Sequence, residues 1–153
     1  AQDTVLQIDA CYLASRESRE LRAETLQMGH SLRRLLHDLR ELPAEFVAQV
    51  AAAPAPSFAY VWSGLAAMWE IPLGEAVAAW LWSWAENQTM VALKAVPLGQ
   101  AAGQRILLDI GRRVPEIVER ALTLQEGDFS NFAPGFAIAC ARHETQYSRL
   151  FRS

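Results

Sequence analysis

Cysteine is scarce in this chain: Cys11 and Cys140 lie far apart and neither has a CxxC companion. Two buried free thiols in a reducing compartment are the expectation. An excess of basic charge is missing too. Fourteen Lys and Arg are interspersed with seventeen Asp and Glu, for a net charge of −3. Nothing in that pattern makes the continuous basic surface that nucleic acid requires. A membrane span is also lacking. The longest uncharged run, Phe46 to Trp69, has the right length, but Pro54, Pro56, Ser57, Ser63 and Gly64 interrupt it. The amphipathic faces carry mixed charge, which argues against a lipid surface. Residues Ala1 to Ala10 do not read as a signal peptide, because Asp3 and Asp9 break the apolar run.

Catalytic signatures are equally sparse. The sequence has no P-loop, no dinucleotide glycine fingerprint, no GxSxG elbow and no HExxH pair. Lys94 precedes two glycines, but the GK[ST] element is absent. His30 and His37 are seven residues apart, so on a helix they stand roughly 10 Å from each other, too far for one ion. His143 and Glu144 are adjacent and diverge on a helix. Glu70, Glu75, Glu86 and Asp109 are scattered and form no evident dyad. The reading is of a protein that is not an enzyme, with no catalytic, cofactor or metal residue to nominate.

What the chain does have is helix. Of its 153 residues 52% are hydrophobic and 20% charged, enough to bury the core of one domain over residues 1–153. No segment alternates with the period of a strand, and there is no internal repeat, so the fold class is all-α with about seven helices. Val5, Ile8 and Leu13 mark a first helix. Ser15 offers an N-cap for a second, about Arg16 to Leu39, with Leu21, Met28, Leu32, Leu35 and Leu39 on one stripe. Its many charges read as a solvated face. Pro43 opens a short helix to Ala53, and Ser57 caps an apolar helix from Phe58 to Trp69. That helix, paired with Leu73–Ala95, is expected to be the centre of the bundle. After Pro97 a long helix runs from about Leu98 to Leu124, kinked at Pro115, with Ile106, Ile110, Val114, Ile117, Val118 and Leu122 inward. Asp128 or Ser130 caps the last helix, whose inner stripe is Phe132, Phe136, Ala139 and Cys140, with His143 a further candidate.

The stretch from Trp80 to Leu108 organises the rest. Val77, Leu81, Trp84, Gln88, Val91 and Ala95 repeat at helical spacing until Pro97 forces Val96 out of the α region. Beyond it, Gly99, Ala101, Ala102 and Gly103 present an almost bare face to which another backbone can come close. Asn87, Gln88, Gln100, Gln104 and Arg105 bracket the bend. They either satisfy backbone groups freed by the proline, or Gln100 and Arg105 reach a partner subunit beside the flat face. The end of the chain, His143 to Ser153, interleaves Tyr147, Leu150 and Phe151 with Arg149 and Arg152. That is the composition of an interface anchor, though such a tail also packs on its own bundle. A rival from another class is a helical bundle holding a small apolar ligand against Trp62, Trp69, Trp80, Trp82 and Trp84.

Three long segments carry a family resemblance: ASRESRELRAETLQMGHSLRRLL, ENQTMVALKAVPLGQAAGQRIL and RHETQYSRLFRS. In that order they resemble the urease accessory protein UreF family, over essentially the whole chain. The resemblance implies an all-helical, non-catalytic, cytoplasmic scaffold for metalloenzyme maturation. It would act with the UreD scaffold (also called UreH) and the UreG GTPase in nickel insertion into apo-urease, and influence when GTP is hydrolysed. By the same resemblance Tyr147, Ser148, Arg149, Leu150, Phe151 and Arg152 would bind UreD. Pro97, Gly99, Gln100, Gly103 and Arg105 would lie at the homodimer surface that receives UreG. Arg105 is raised in addition as a residue assisting GTP hydrolysis. The N-terminal portion usual in the family is missing before IDACYLASRE, so the chain is expected to be a fragment.

Overall fold

A computed structural model describes residues 2–39, 41–130 and 133–147. Among them the backbone forms α1 (Gln2–Ala14), α2 (Arg19–Asp38), α3 (Ala44–Ala52), α4 (Phe58–Met68), α5 (Leu73–Ala95), α6 (Gln100–Thr123) and α7 (Pro134–Glu144). A single turn of 3-10 helix, Glu126–Asp128, lies between the last two, and the described residues contain no strand. The all-α class is therefore observed. The chain divides into two compact units, Ala1–Glu70 with Asn131–Ser153, and Ile71–Ser130. The expected central pair, Phe58–Trp69 and Leu73–Ala95, is split between them.

In the first unit α2, α3 and α4 enclose the core. Leu36, Leu42, Phe46, Val50, Ala53, Tyr60, Val61 and Leu65 are buried together. Leu6, Leu32, Leu39 and Val47 pack against them. The helix starts here are fixed by side chains. Ser18 caps α2 by accepting from the Leu21 N–H at 3.1 Å, and Ser57 caps α4 by accepting from Tyr60 at 3.1 Å. Ser15, the expected cap, instead donates to the Tyr12 carbonyl at the end of α1.

Ser57 is wholly buried and is itself gripped from α1. The Asp9 carboxylate accepts from both its backbone N–H and its hydroxyl. Thr25 of α2 accepts from the next amide, Phe58, at 3.3 Å. The buried carboxylate is thus hydrogen-bonded, as an interior charge must be. At the other end of α4, Glu70 takes a left-handed turn, φ 53°, that ends the helix.

The second unit is an antiparallel hairpin of α5 and α6. Val96 is extended (φ −123°, ψ 146°), as a residue before proline must be, so α5 stops at Ala95 where Pro97 requires it. The buried positions of the pair are, Leu107 apart, small or β-branched: Ala76, Ala85 and Thr89 on α5, with Gly103, Leu107, Val114 and Val118 on α6. Leu93 lies over Gly103, Trp82 over Gly111, and Val118 and Leu122 over Gly74. The expected α5 stripe is turned away in its second half, where Trp84 and Val91 are exposed while Val77 and Leu81 are half-buried. On α6 Val114 and Val118 are inward as expected, but Ile106, Ile117 and Leu122 are exposed. Close helix packing demands little side chain at the contact, which pushes the larger apolar groups to the flanks.

The cysteines differ from expectation as well, Cys11 being exposed and Cys140 half-buried, both as free thiols. On α7 no residue is buried. Its N-cap position is Ala133, with no side-chain cap, while Asp128 instead closes the 3-10 turn by accepting from the Gln125 N–H. Phe136 and Ala139, expected inward, are exposed. Phe132 lies outside the described residues.

Candidate interaction surfaces

Residues at the α5–α6 elbow face water. Pro97, Gly99, Gln100 and Arg105 are exposed, as are Asn87, Gln88 and Gln104. The break leaves α5 closed by its own backbone, Val96 N–H to Ala92 O, and α6 opens at Gly99 with no side-chain cap. These amides and the guanidinium are therefore not spent on caps. Gly103 differs: it is buried, and a Cβ there would sit 2.9 Å from Leu93 Cδ1. Its bareness serves the hairpin, so of the flat face expected beside Arg105, Gly103 is turned into the chain's own α5, while Gly99 and Ala101 stay exposed.

The second surface begins where α7 ends. Two polar contacts seat that helix at the N-terminus of α2. Glu144 accepts the Arg19 N–H at 2.6 Å, taking one of the donors that a helix start leaves unpaired. His143 Nδ1 lies 2.7 Å from Glu20 Oε2. A carboxylate at a helix N-terminus is also favoured by the helix dipole. No local pattern announces these partners, because they are more than a hundred residues apart in the chain. They direct the start of the tail: Tyr147, the last described residue, is fully exposed. Ser148, Arg149, Leu150, Phe151 and Arg152 lie outside the described residues.

Of the five tryptophans none is fully buried. Trp69, Trp82 and Trp84 are exposed, and Trp62 and Trp80 belong to different units. Two grooves do exist in the first unit. One of about 430 Å³ is lined by Val5, Phe46, Val50, Tyr60, Ala67 and Met68. Another, about 260 Å³, runs between α2 and α3. Among the described residues no three His, Cys, Asp or Glu side chains gather in a way that could hold a metal ion. None of their helices is long and apolar enough to cross a membrane.

Comparison with known proteins bears on what these surfaces are for. The family model described as UreF matches residues 1–111. A protein of Dechloromonas aromatica (strain RCB) named urease accessory protein UreF is 60% identical across 99% of this chain and 67% of its own length. One of the same name from Azoarcus sp. (strain BH72) is 55% identical across 97% of this chain and 64% of its own. Another, from Methylobacillus flagellatus, is 49% identical over 95% of this chain and 64% of its own. The chain thus spans about two thirds of the length of these relatives. With identity at this level along nearly all of its residues, the chain belongs to the UreF family.

Proposed function

We propose that residues 1–153 act as one UreF-like domain, a non-catalytic scaffold in urease maturation that helps assemble the nickel-insertion complex. The observation that carries this reading is the 60% identity, sustained over 99% of the chain, to a protein named as a urease accessory protein. The scaffold works as a homodimer in the cytoplasm, binds UreD (UreH) and the UreG GTPase on apo-urease, and tunes GTP hydrolysis without turnover or a cofactor of its own. The tail Tyr147, Ser148, Arg149, Leu150, Phe151 and Arg152 grips UreD. Its mixture of aromatic, aliphatic and guanidinium groups is that of a binding hot spot. Pro97, Gly99, Gln100 and Arg105 form the water-facing part of the UreG surface, while Gly103 supports it from beneath by admitting Leu93.

The test is capture of a UreD homologue by the intact chain and by a chain ending at Gln146, which keeps the α7 contacts of His143 and Glu144. Size-exclusion chromatography with light scattering reports the stoichiometry. Loss of UreD from the shortened chain is expected; unchanged capture overturns the tail assignment. Addition of UreG then separates the surfaces, because Arg105→Ala should lose the GTPase and keep UreD.

A further inference from the structure

The groove between α2 and α3 is lined on one side by His30, Arg33, Arg34 and His37. Their spacing of three, four and seven residues puts all four on a single stripe across two helical turns. The groove wall contains no Asp or Glu, although acids outnumber bases seventeen to fourteen in the whole chain. Its floor is apolar: Val47 and Ala51 offer the accessible surface, over the buried Leu36 and Val50. One cation is already held in place: Arg33 Nη1 donates to the Ala53 carbonyl at 3.1 Å. That bond lowers the ordering cost of engaging a ligand. Asp38 stands 3.6 Å from His37 Nδ1, but both side chains are about four-fifths exposed, so water and salt screen the pair.

We propose that this groove docks an acidic, amphipathic peptide segment of a partner protein. Carboxylates of the segment would meet the His30–Arg33–Arg34–His37 stripe, and its apolar side chains would cover Val47 and Ala51. Charge complementarity selects the occupant. A stripe roughly 10 Å long matches carboxylates one or two turns apart on a second helix. A small anion would use one or two of the cations and leave the apolar floor wet. Nucleic acid would need a basic field that extends well beyond one groove. The site lies apart in sequence from the tail and from the α5–α6 elbow, so it stands or falls independently of the UreD and UreG assignments.

The test uses a fluorescein-labelled, end-capped helical peptide bearing glutamates on one stripe and leucines beside it, titrated with the full chain by fluorescence anisotropy. A matched peptide with glutamine for glutamate is the control. Saturable binding of the glutamate peptide is expected, weakened about tenfold by Arg34→Glu and by raised salt. Arg34 is exposed, so that substitution leaves the core alone, and circular dichroism confirms the fold. A lysine-bearing peptide should regain affinity for the Arg34→Glu chain. Equal binding of the glutamine peptide, indifference to Arg34→Glu, or binding of inorganic phosphate alone without the peptide would each overturn the proposal.

Discussion

A Cβ placed on Gly29 would stand 2.3 Å from the Pro56 carbonyl oxygen and 2.7 Å from the Ser57 carbonyl carbon. At this crossing α2 therefore meets the entry to α4 backbone to backbone, with no side chain that can swing aside. Gly29→Ala gains roughly 1 kcal/mol of helix propensity, yet must push the two elements apart. A net loss of about 2–3 kcal/mol is expected, read from the urea midpoint. Gly135→Ala meets nothing within 4 Å and serves as the control. Stabilisation by Gly29→Ala would show that the crossing is loose.

Ser57 performs two tasks, capping α4 and satisfying the buried Asp9 carboxylate of α1. Ser57→Ala removes a cap, which costs about 1 kcal/mol, and also strips a hydroxyl donor from an interior charge, which costs about 1–3 kcal/mol more. Ser18 only caps, so Ser18→Ala should be the milder change by thermal denaturation. If the two substitutions cost the same, the Asp9 contact contributes nothing.

Helix existence was legible in the chain because prolines and caps are local signals. Pro97 stops α5 through the extended Val96, and Ser57 starts α4, both as expected. The inward faces were less legible. Large apolar residues at helical spacing point to a core there, but Ala76, Ala85, Thr89 and Gly103 make the α5–α6 contact. A stripe of Trp and Val shows where apolar area lies, whereas closeness of approach is set by the smallest residues. The seat of α7 was invisible for another reason: His143 and Glu144 find Glu20 and Arg19 across more than a hundred residues. Of the elbow residues, Gln100 and Arg105 face outward as a partner site needs, and Gly103 does not.

That inward glycine separates two kinds of substitution at the elbow. A methyl group on Gly103 meets only the flexible end of Leu93, at 2.9 Å from Cδ1. Gly103→Ala should therefore change stability by no more than about 1 kcal/mol, and leave the proposed recruitment of UreG intact. Arg105→Ala removes an exposed cation and should weaken recruitment without moving the melting temperature. Co-elution with UreG, beside a melting curve for each variant, distinguishes them. Loss of UreG in Gly103→Ala alone would mean that the buried face opens to a partner.

The α7 seat rests on polar contacts at the surface, with side-chain exposure of 44% for His143 and 29% for Glu20. Such contacts hold a helix in place while adding little global stability, on the order of 0–1 kcal/mol. In a Glu144→Ala, His143→Ala chain the amides of residues 135–144 should exchange hydrogen faster, with the α2–α4 core unchanged. Exchange as slow as in the parent chain would show that α7 is held by something other than the α2 N-terminus.

Tyr60 connects the core to pH. Its side chain is buried, and its pKa is raised above the ordinary 10.0, first by desolvation and then by the negative charge of Asp9. A phenol that ionises less readily when folded binds its proton more tightly in the native state than in the unfolded one. The stabilising difference is therefore whole below pH 10 and is lost as pH rises through the folded-state pKa. The tyrosinate absorbance that vanishes in Tyr60→Phe should reach its midpoint above pH 10, and the parent chain should lose stability over that range more steeply than Tyr60→Phe. Asp9→Asn removes the smaller cause and keeps the larger, so the titration should move down without returning to its ordinary position. A Tyr60 midpoint at or below pH 10 in the parent chain would mean that water reaches the hydroxyl and that the Asp9–Ser57 corner is open.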